Sequence, residues 1–221
     1  MKPLTAILMV IPVAALGAFC LLGILRTEFG PSAPSDAPPI VIENQKHTAT
    51  AEMLAKAAAQ EKQVAPSFRA EADDGRTYAL ADLAQAGPLA LIFIKDGCPC
   101  SVAAGPYYGR LAESYGSRVR FFGVIDGDIE VARRWARANH VPFPILCDPG
   151  LRIVREYKAE NSAYFAIIAP GGAIDRYWPG YSAEMLKEAS AHLSRLASEE
   201  PKPIDLTDAP DDLYTGCPFD L

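Results

Sequence analysis

Two cysteines separated by a single proline, Cys98 and Cys100, are the residues of this chain whose spacing most clearly suggests chemistry. They lie in the segment KDGCPCS, which follows an apolar run and precedes an amphipathic stretch. Such a pair is compatible with three kinds of site: a redox centre, a metal site, or two structural thiols that happen to be neighbours. The local structure predicted around the pair helps to separate these alternatives.

Cys98 is placed where a thiol becomes reactive. The apolar run LALIFIK, Leu89 to Lys95, predicts a strand buried on both faces, and the stretch to about Tyr115 predicts a helix. The N-terminus of a helix carries unsatisfied N–H groups and about half a positive charge, which stabilise a thiolate, the reactive form of cysteine. Strand ends in open α/β sheets are also where sites form. The sequence therefore predicts that Cys98 is an accessible redox thiolate.

A metal site is the second alternative for these thiols. Cys98 and Cys100, joined by Cys217 near the end of the chain, could hold a soft ion such as copper(I) or zinc. No histidine follows the pair at metal-ligand spacing, and the three histidines are scattered along the sequence at His47, His140 and His192. We therefore favour redox chemistry, and we predict no resident metal and no organic cofactor.

The composition limits the remaining function classes. A chain of 221 residues with a net charge of −6 has the size of one compact domain with extensions. The sequence pI near 5.1 argues against nucleic-acid binding, which needs a basic surface. Five cysteines are too few, in a chain this long, for a disulfide-stapled mini-protein. The oligomeric state is left open.

The N-terminal segment has the composition of a membrane anchor. Leu4 to Leu25 contains no charged residue, and at about 1.5 Å per residue it reaches roughly 33 Å, enough for a bilayer core. A cleavable signal usually has an apolar region of only about 7 to 15 residues. We therefore favour an uncleaved, single-pass anchor over 1–26, with the folded part outside the cytoplasm, on the periplasmic side if the cell is bacterial.

The rest of the chain divides into three parts. Residues 27–63 read as a proline-rich linker followed by a helix that Thr48 or Thr50 caps. Residues 64–197 form the predicted domain, in which strand and helix patterns alternate before a hairpin and a last helix. This order predicts an α/β fold with a central mixed sheet flanked by helices. Residues 198–221 read as an acidic tail that carries Cys217.

The predicted domain resembles the thioredoxin superfamily, in particular its redoxin branch of AhpC/TSA and TlpA-like proteins. The resemblance covers about Ala65 to Ala197, where APSF, DGRTYALADL, the apolar strand, the Cys-Pro segment, FFGVID, VPFPILCDP and the terminal hairpin and helix follow the family order. Pro106 lies eight positions after Cys98, as the helix proline of thioredoxins does after their first cysteine. The resemblance thus implies a thioredoxin-like fold with CPCS in place of the usual site.

The resemblance also implies roles for individual residues. Cys98 corresponds to the nucleophile and Ser101 to the usual resolving cysteine. Cys98 would attack a protein disulfide or a small peroxide and be resolved by Cys100, across a tight bridge, or by Cys217 at the end of a flexible tail. The substrate groove would be formed by Pro99 and by the positions of the family's Thr-Pro pair, here Ser162 and Ala163.

Three functions remain open at this point. The peroxiredoxin pattern P-x-x-x-T-x-x-C is absent: for Cys98 the matching positions hold Leu91 and Lys95, and for Cys100 they hold Phe93 and Gly97. Because the peroxiredoxin pattern is absent, a membrane-anchored thiol-disulfide oxidoreductase is favoured over an AhpC/TSA-type thiol peroxidase. The third alternative is a non-catalytic redoxin-fold module that binds a soft metal or docks a partner protein through its acidic tail.

Overall fold

The computed structural model describes residues 47–221. The predicted anchor over 1–26 and most of the predicted linker lie outside this range. Within the described range, no helix combines the length and the apolar character that a membrane crossing requires. The anchor and its location therefore stay predictions.

The first helix of the described chain has a side-chain cap at its N-terminus. The hydroxyl of Thr50 accepts a hydrogen bond from the backbone N–H of Met53 (3.2 Å), and α1 follows at Ala51–Ala58. A side-chain acceptor at this position satisfies one of the free N–H groups of the first turn. The predicted helix and its cap at Thr50 are confirmed, but the helix is shorter than 48–63.

Seven strands and five further helices follow α1. In chain order they are β1 (Arg69–Glu71), β2 (Thr77–Ala79), α2 (Leu80–Ala86), β3 (Leu89–Ile94), α3 (Pro99–Tyr115), β4 (Arg120–Ile125), α4 (Ile129–Asn139), β5 (Ile145–Cys147), α5 (Arg152–Glu156), β6 (Phe165–Ile168), β7 (Ile174–Trp178) and α6 (Ala183–Ala197). The sequence patterns did not predict the short helix α5.

A five-stranded mixed sheet forms the centre of the domain. The strand order is β5-β4-β3-β6-β7, in which β3, β4 and β5 are parallel and β6 and β7 are antiparallel to their neighbours. The strands β1 and β2 form a separate antiparallel pair. The α/β class and the mixed central sheet flanked by helices are therefore confirmed.

The central strand β3 is buried on both faces, as its continuous apolar sequence predicts. Leu89, Leu91 and Phe93 pack in the apolar cluster that includes α2 and α5. Alternate residues of the strand pack in a second cluster with α3, α4 and α6. Because each fully buried large side chain contributes about 1.5–3 kcal/mol, both cores hold the C-terminal end of β3 in a fixed position.

The C-terminal segment 198–221 lies along α3, in the opposite direction to the helix. Lys202 Nζ donates to the carbonyl of Ser114 near the end of α3 (2.6 Å). Nearer the start of the helix, the hydroxyl of Tyr107 donates to the carbonyl of Asp208. This path carries the segment back to the N-terminus of α3, so the tail is an ordered part of the described structure.

Candidate redox site

The loop between β3 and α3 sets the position of Cys98. Gly97 has φ +71°, a left-handed conformation that glycine adopts without steric cost. Cys98 is the N-cap of α3, and Pro99 occupies the first helical turn, where its missing N–H leaves no bond unmade. The hydroxyl of Ser101 accepts a hydrogen bond from the backbone N–H of Lys95 (3.1 Å), which ties the start of the helix to the end of β3.

A second wall of the site is formed by the residues that precede β6. The hydroxyl of Ser162 donates to Cys98 Sγ (3.3 Å), and the Ser162 side chain is buried. Ala163 has φ +61°, and its N–H donates to the carbonyl of Phe93 (2.7 Å). Its carbonyl accepts from the hydroxyl of Tyr108 on α3 (2.8 Å). A non-glycine residue held left-handed costs about 1–3 kcal/mol and is typical of functional sites.

The C-terminal segment pairs with this wall through its backbone. The N–H of Gly216 donates to the carbonyl of Ser162 (2.8 Å), and the N–H of Ser162 donates to the carbonyl of Cys217 (2.9 Å). The side chain of Asn161 adds a third bond, from Nδ2 to the carbonyl of Gly216 (2.8 Å). Phe219, which is 6% exposed, anchors the segment in the apolar core beyond. The predicted groove is therefore occupied by the chain's own end.

Three sulfur atoms meet at the N-terminus of α3. Cys217 Sγ lies 2.6 Å from Cys98 Sγ, and the N–H of Cys217 donates to Cys98 Sγ (3.2 Å). Cys100 completes the group, since all three Sγ atoms lie within 4.8 Å of one another. Cys98 is 2% exposed and Cys100 is 1% exposed. The expectation that Cys98 is accessible is therefore wrong for this state, because the docked tail covers it.

The three thiols differ in their tendency to ionise. Hydrogen bonds from Cys100, and then from Cys217 and Ser162, hold the pKa of Cys98 well below its usual range in spite of its burial. The same interaction with Cys98, together with burial, raises the pKa of Cys100 far above its ordinary value. Burial raises the pKa of Cys217 to about 11. The surroundings therefore favour ionisation of Cys98 over that of Cys100 and Cys217.

A histidine borders the cluster, contrary to the view of the histidines as scattered. Nδ1 of His47 lies 3.2 Å from Cys100 Sγ. Its segment pairs with the C-terminal tail: Thr215 N–H donates to the carbonyl of His47 (2.6 Å), and Ala49 N–H donates to the carbonyl of Leu213 (2.8 Å). No metal-ligand spacing marks His47 in the sequence, because its contact with Cys100 depends on this pairing of distant segments.

The structure thus brings together the seven residues proposed from the sequence: Cys98, Pro99, Cys100, Ser101, Ser162, Ala163 and Cys217. Ser101 contacts the backbone of Lys95, which is a local structural role. Sequence reasoning missed His47 and Asn161, since no motif marks either residue. The glycine before Cys217 was a usable signal for close approach of the tail backbone.

The fold is shared with solved structures of thiol enzymes. A putative protein disulfide isomerase from Bacteroides thetaiotaomicron is 18% identical, with a TM-score of 0.58, over 63% of this chain and 91% of that chain. A secreted Mycobacterium tuberculosis disulfide oxidoreductase homologous to E. coli DsbE is 23% identical, with a TM-score of 0.50, over 58% and 96% of the two chains.

A peroxide-reducing protein has the same fold. The Xanthomonas campestris bacterioferritin comigratory protein is 16% identical, with a TM-score of 0.52, over 59% of this chain and 92% of that chain. At these identities the three similarities establish a thioredoxin-like fold and leave the activity open. A search of curated proteins finds no match to the chain.

The sequence matches a family model over more than half of its length. The model is that of the AhpC/TSA family, and it covers residues 62–177. The matched region contains Cys98, Cys100 and the groove residues before β6, whereas Cys217 and His47 lie outside it. Fold, site and model agree, and the chain belongs to the AhpC/TSA family.

Proposed function

We propose that the protein is a thiol-disulfide oxidoreductase of the redoxin type, in which Cys98 attacks and Cys217 resolves. The observation that carries the proposal is the 2.6 Å separation of Cys98 Sγ and Cys217 Sγ, held by the backbone pairing of the tail with Ser162. An extended segment that presents a cysteine to Cys98 in this way has the geometry of a bound peptide substrate. The tail therefore leaves when a substrate enters and returns to resolve the intermediate.

The cycle balances as two exchanges between sulfur atoms. The Cys98 thiolate attacks one sulfur of a protein disulfide, forming a mixed disulfide, and the other substrate sulfur leaves and takes a proton. Cys217, once deprotonated, attacks Cys98 Sγ, forms the intramolecular disulfide and releases the second substrate thiol. Two electrons pass from the protein to the substrate, and an external dithiol restores the reduced form. Run in reverse, the same steps oxidise a substrate dithiol.

Cys100 has a supporting role in this scheme. Its Sγ lies within 4.8 Å of Cys98 Sγ, and its raised pKa keeps it protonated beside the Cys98 thiolate. A resolving reaction by Cys100 would have to close a bridge across one intervening residue, whereas Cys217 Sγ already lies beside Cys98 Sγ. We therefore assign resolution to Cys217.

Cysteine variants of the full-length chain test the proposal. Reduction of insulin disulfides with a dithiol reductant is expected to be lost in Cys98→Ser. In Cys217→Ser the mixed disulfide between Cys98 and the substrate is expected to accumulate. Cys147→Ser is the matched control, because Cys147 lies in β5, outside the thiol cluster, and should keep full activity. Full activity of Cys98→Ser would refute the proposal.

Peroxide reduction is the second candidate function, and membership of the AhpC/TSA family is the observation that favours it. Cys98 would be oxidised to a sulfenic acid with release of the reduced peroxide, and Cys217 would then displace water to form the same disulfide. One observation counts against this candidate. Lys95 and Leu91 occupy the positions at which the peroxiredoxin pattern has threonine and proline, so the usual peroxide pocket is incomplete. Peroxide consumption faster than insulin reduction, lost in Cys98→Ser, would favour this candidate.

We also propose that the domain is tethered to a membrane with its site outside the cytoplasm. The uncharged segment from Leu4 to Leu25 supports this proposal. Membrane fractionation of cells that produce the full-length chain, with protease added outside, tests it. Recovery of the intact chain in the soluble fraction would contradict it.

A further inference from the structure

We propose that the reduced protein binds one zinc ion through a Cys₃His set formed by Cys98, Cys100, Cys217 and His47. This site goes beyond disulfide exchange, since it requires a fourth residue that the redox cycle does not use. Cys₃His is one of the ligand sets of structural zinc sites. The proposal rests on the geometry of four side chains supplied by three separate segments of the chain.

The sulfur positions are close to those of a tetrahedral centre. With Zn–S bonds of about 2.3 Å, two sulfur ligands of a tetrahedral zinc ion stand about 3.8 Å apart. The three Sγ atoms lie within 4.8 Å of one another, and the Cys98–Cys217 pair is closer, at 2.6 Å. Side-chain shifts of about 1 Å therefore convert the thiol cluster into three zinc ligands.

His47 is the candidate for the fourth ligand: its Nδ1 lies near Cys100 Sγ, and it stands outside the group of three sulfur atoms that lie within 4.8 Å of one another, so its ring must move toward Cys98 and Cys217 to complete the set. A sulfur and a nitrogen ligand of a tetrahedral zinc ion stand about 3.5 Å apart, and Nδ1 of His47 lies 3.2 Å from Cys100 Sγ. The backbone of His47 is fixed by the N–H of Thr215, two residues before Cys217. The histidine and the third cysteine are therefore positioned by one and the same pairing of chain segments.

The surroundings suit a closed site with excess negative charge. Cys98 and Cys100 are buried, so water has little access to the centre. Three thiolates and one Zn²⁺ carry a net charge of −1, which the N-terminus of α3 offsets. Lys95 Nζ, which donates to the carbonyl of Pro218 (2.7 Å), lies beside the cluster, where it also pairs with the Asp220 carboxylate (2.9 Å). These groups favour a metal bound by three thiolates.

Zinc binding and the Cys98–Cys217 disulfide exclude each other, because the disulfide removes two of the four ligands. Oxidised glutathione would accept two electrons from the Cys98 and Cys217 thiolates: its S–S bond breaks as the Cys98–Cys217 bond forms, the two glutathione thiolates take protons from water, and Zn²⁺ loses two of its ligands. The site would therefore hold zinc in the reduced protein and release it on oxidation. The metal would stabilise the docked tail in the reduced form.

Direct metal analysis of the reduced full-length chain tests the proposal. We expect one equivalent of Zn²⁺ after dialysis, and a thiolate-to-metal charge-transfer band when Co²⁺ replaces zinc. His47→Ala should weaken zinc binding by at least about tenfold, since even the loss of an outer partner of a metal ligand costs about 10- to 100-fold. His140→Asn is the control. His140 is exposed at the C-terminal end of α4 and is not part of the thiol cluster, so this variant should bind zinc as tightly as the parent protein.

The outcomes separate cleanly. Failure of the reduced chain to bind Zn²⁺ above trace amounts, or binding of copper(I) with none of Zn²⁺, would overturn the proposal. Unchanged zinc affinity in His47→Ala would overturn the Cys₃His assignment, provided that circular dichroism shows the variant to be folded. Chromophoric detection of zinc released by oxidised glutathione would support it. Insulin reduction is measured without zinc. Failure of the zinc-binding test therefore leaves the proposed oxidoreductase function standing, and failure of the insulin test leaves the zinc result standing.

Discussion

Gly216→Ala should expose Cys98 by displacing the C-terminal segment while leaving all cysteines in place. A Cβ atom at this position would lie 2.7 Å from the carbonyl carbon and oxygen of Ser162, a distance that Cβ atoms essentially never adopt. The pairing must open, which weakens the bonds of Gly216 to Ser162 and Asn161 and that of Ser162 to Cys217. At about 1 kcal/mol each, losing two or three bonds shifts the docking equilibrium by about 2–3 kcal/mol, or about 30- to 160-fold.

Alkylation kinetics measure that shift. Because Cys98 is 2% exposed, it reacts with iodoacetamide only in the fraction of molecules whose tail is undocked. The rate at Cys98, followed by mass spectrometry in reduced, chelator-treated chain, should rise by about 30- to 160-fold in Gly216→Ala. Gly150→Ala is the control, since an added Cβ there meets no atom within 4 Å. A rate within about twofold of the parent would refute the view that the tail covers Cys98.

Three further variants probe the hydrogen bonds of Cys98 and those of the residues before β6. Ser162→Ala should move the midpoint of the Cys98 thiolate absorbance to higher pH, and Cys100→Ala should move it further, because hydrogen bonds from both side chains lower the Cys98 pKa and that from Cys100 is the stronger. An unchanged midpoint in both variants would contradict this assignment. Tyr108→Phe should destabilise the protein by about 1–2 kcal/mol, because it leaves the buried Ala163 carbonyl without its partner. Thermal unfolding should show a lower Tm, and an equal Tm would count against the bond.

The fold was largely predictable because its signals are local. The continuous apolar runs of β3 and β4 predict strands buried on both faces, and Asp128 and Ser182 mark helix starts at which each side chain accepts backbone N–H bonds. The helix α5 was missed because it has only five residues. It follows Leu151, and no sequence pattern predicts the left-handed φ of +55° at this residue.

The composition of the site was predictable only in part. Cys98 could be found because a strand end, a helix start and a Cys-Pro pair coincide in one short segment. The burial of Cys98 could not be predicted, since Cys217 lies 119 residues away in the sequence and reaches Cys98 through backbone hydrogen bonds, which leave little trace in the sequence. His47 lies 53 residues before Cys100, and its contact depends on the docked tail. An acidic, proline-bearing composition suggested a loose tail, whereas Phe219 and backbone pairing hold it in place.

Disulfide mapping of the oxidised full-length chain tests the central claim most directly. The protein is oxidised with oxidised glutathione, its remaining thiols are blocked, and its peptides are identified by mass spectrometry without reduction. We predict a peptide pair that joins Cys98 to Cys217, with Cys100 recovered in the blocked form. A bridge between Cys98 and Cys100, or an oxidised protein in which Cys217 stays free, would contradict the account.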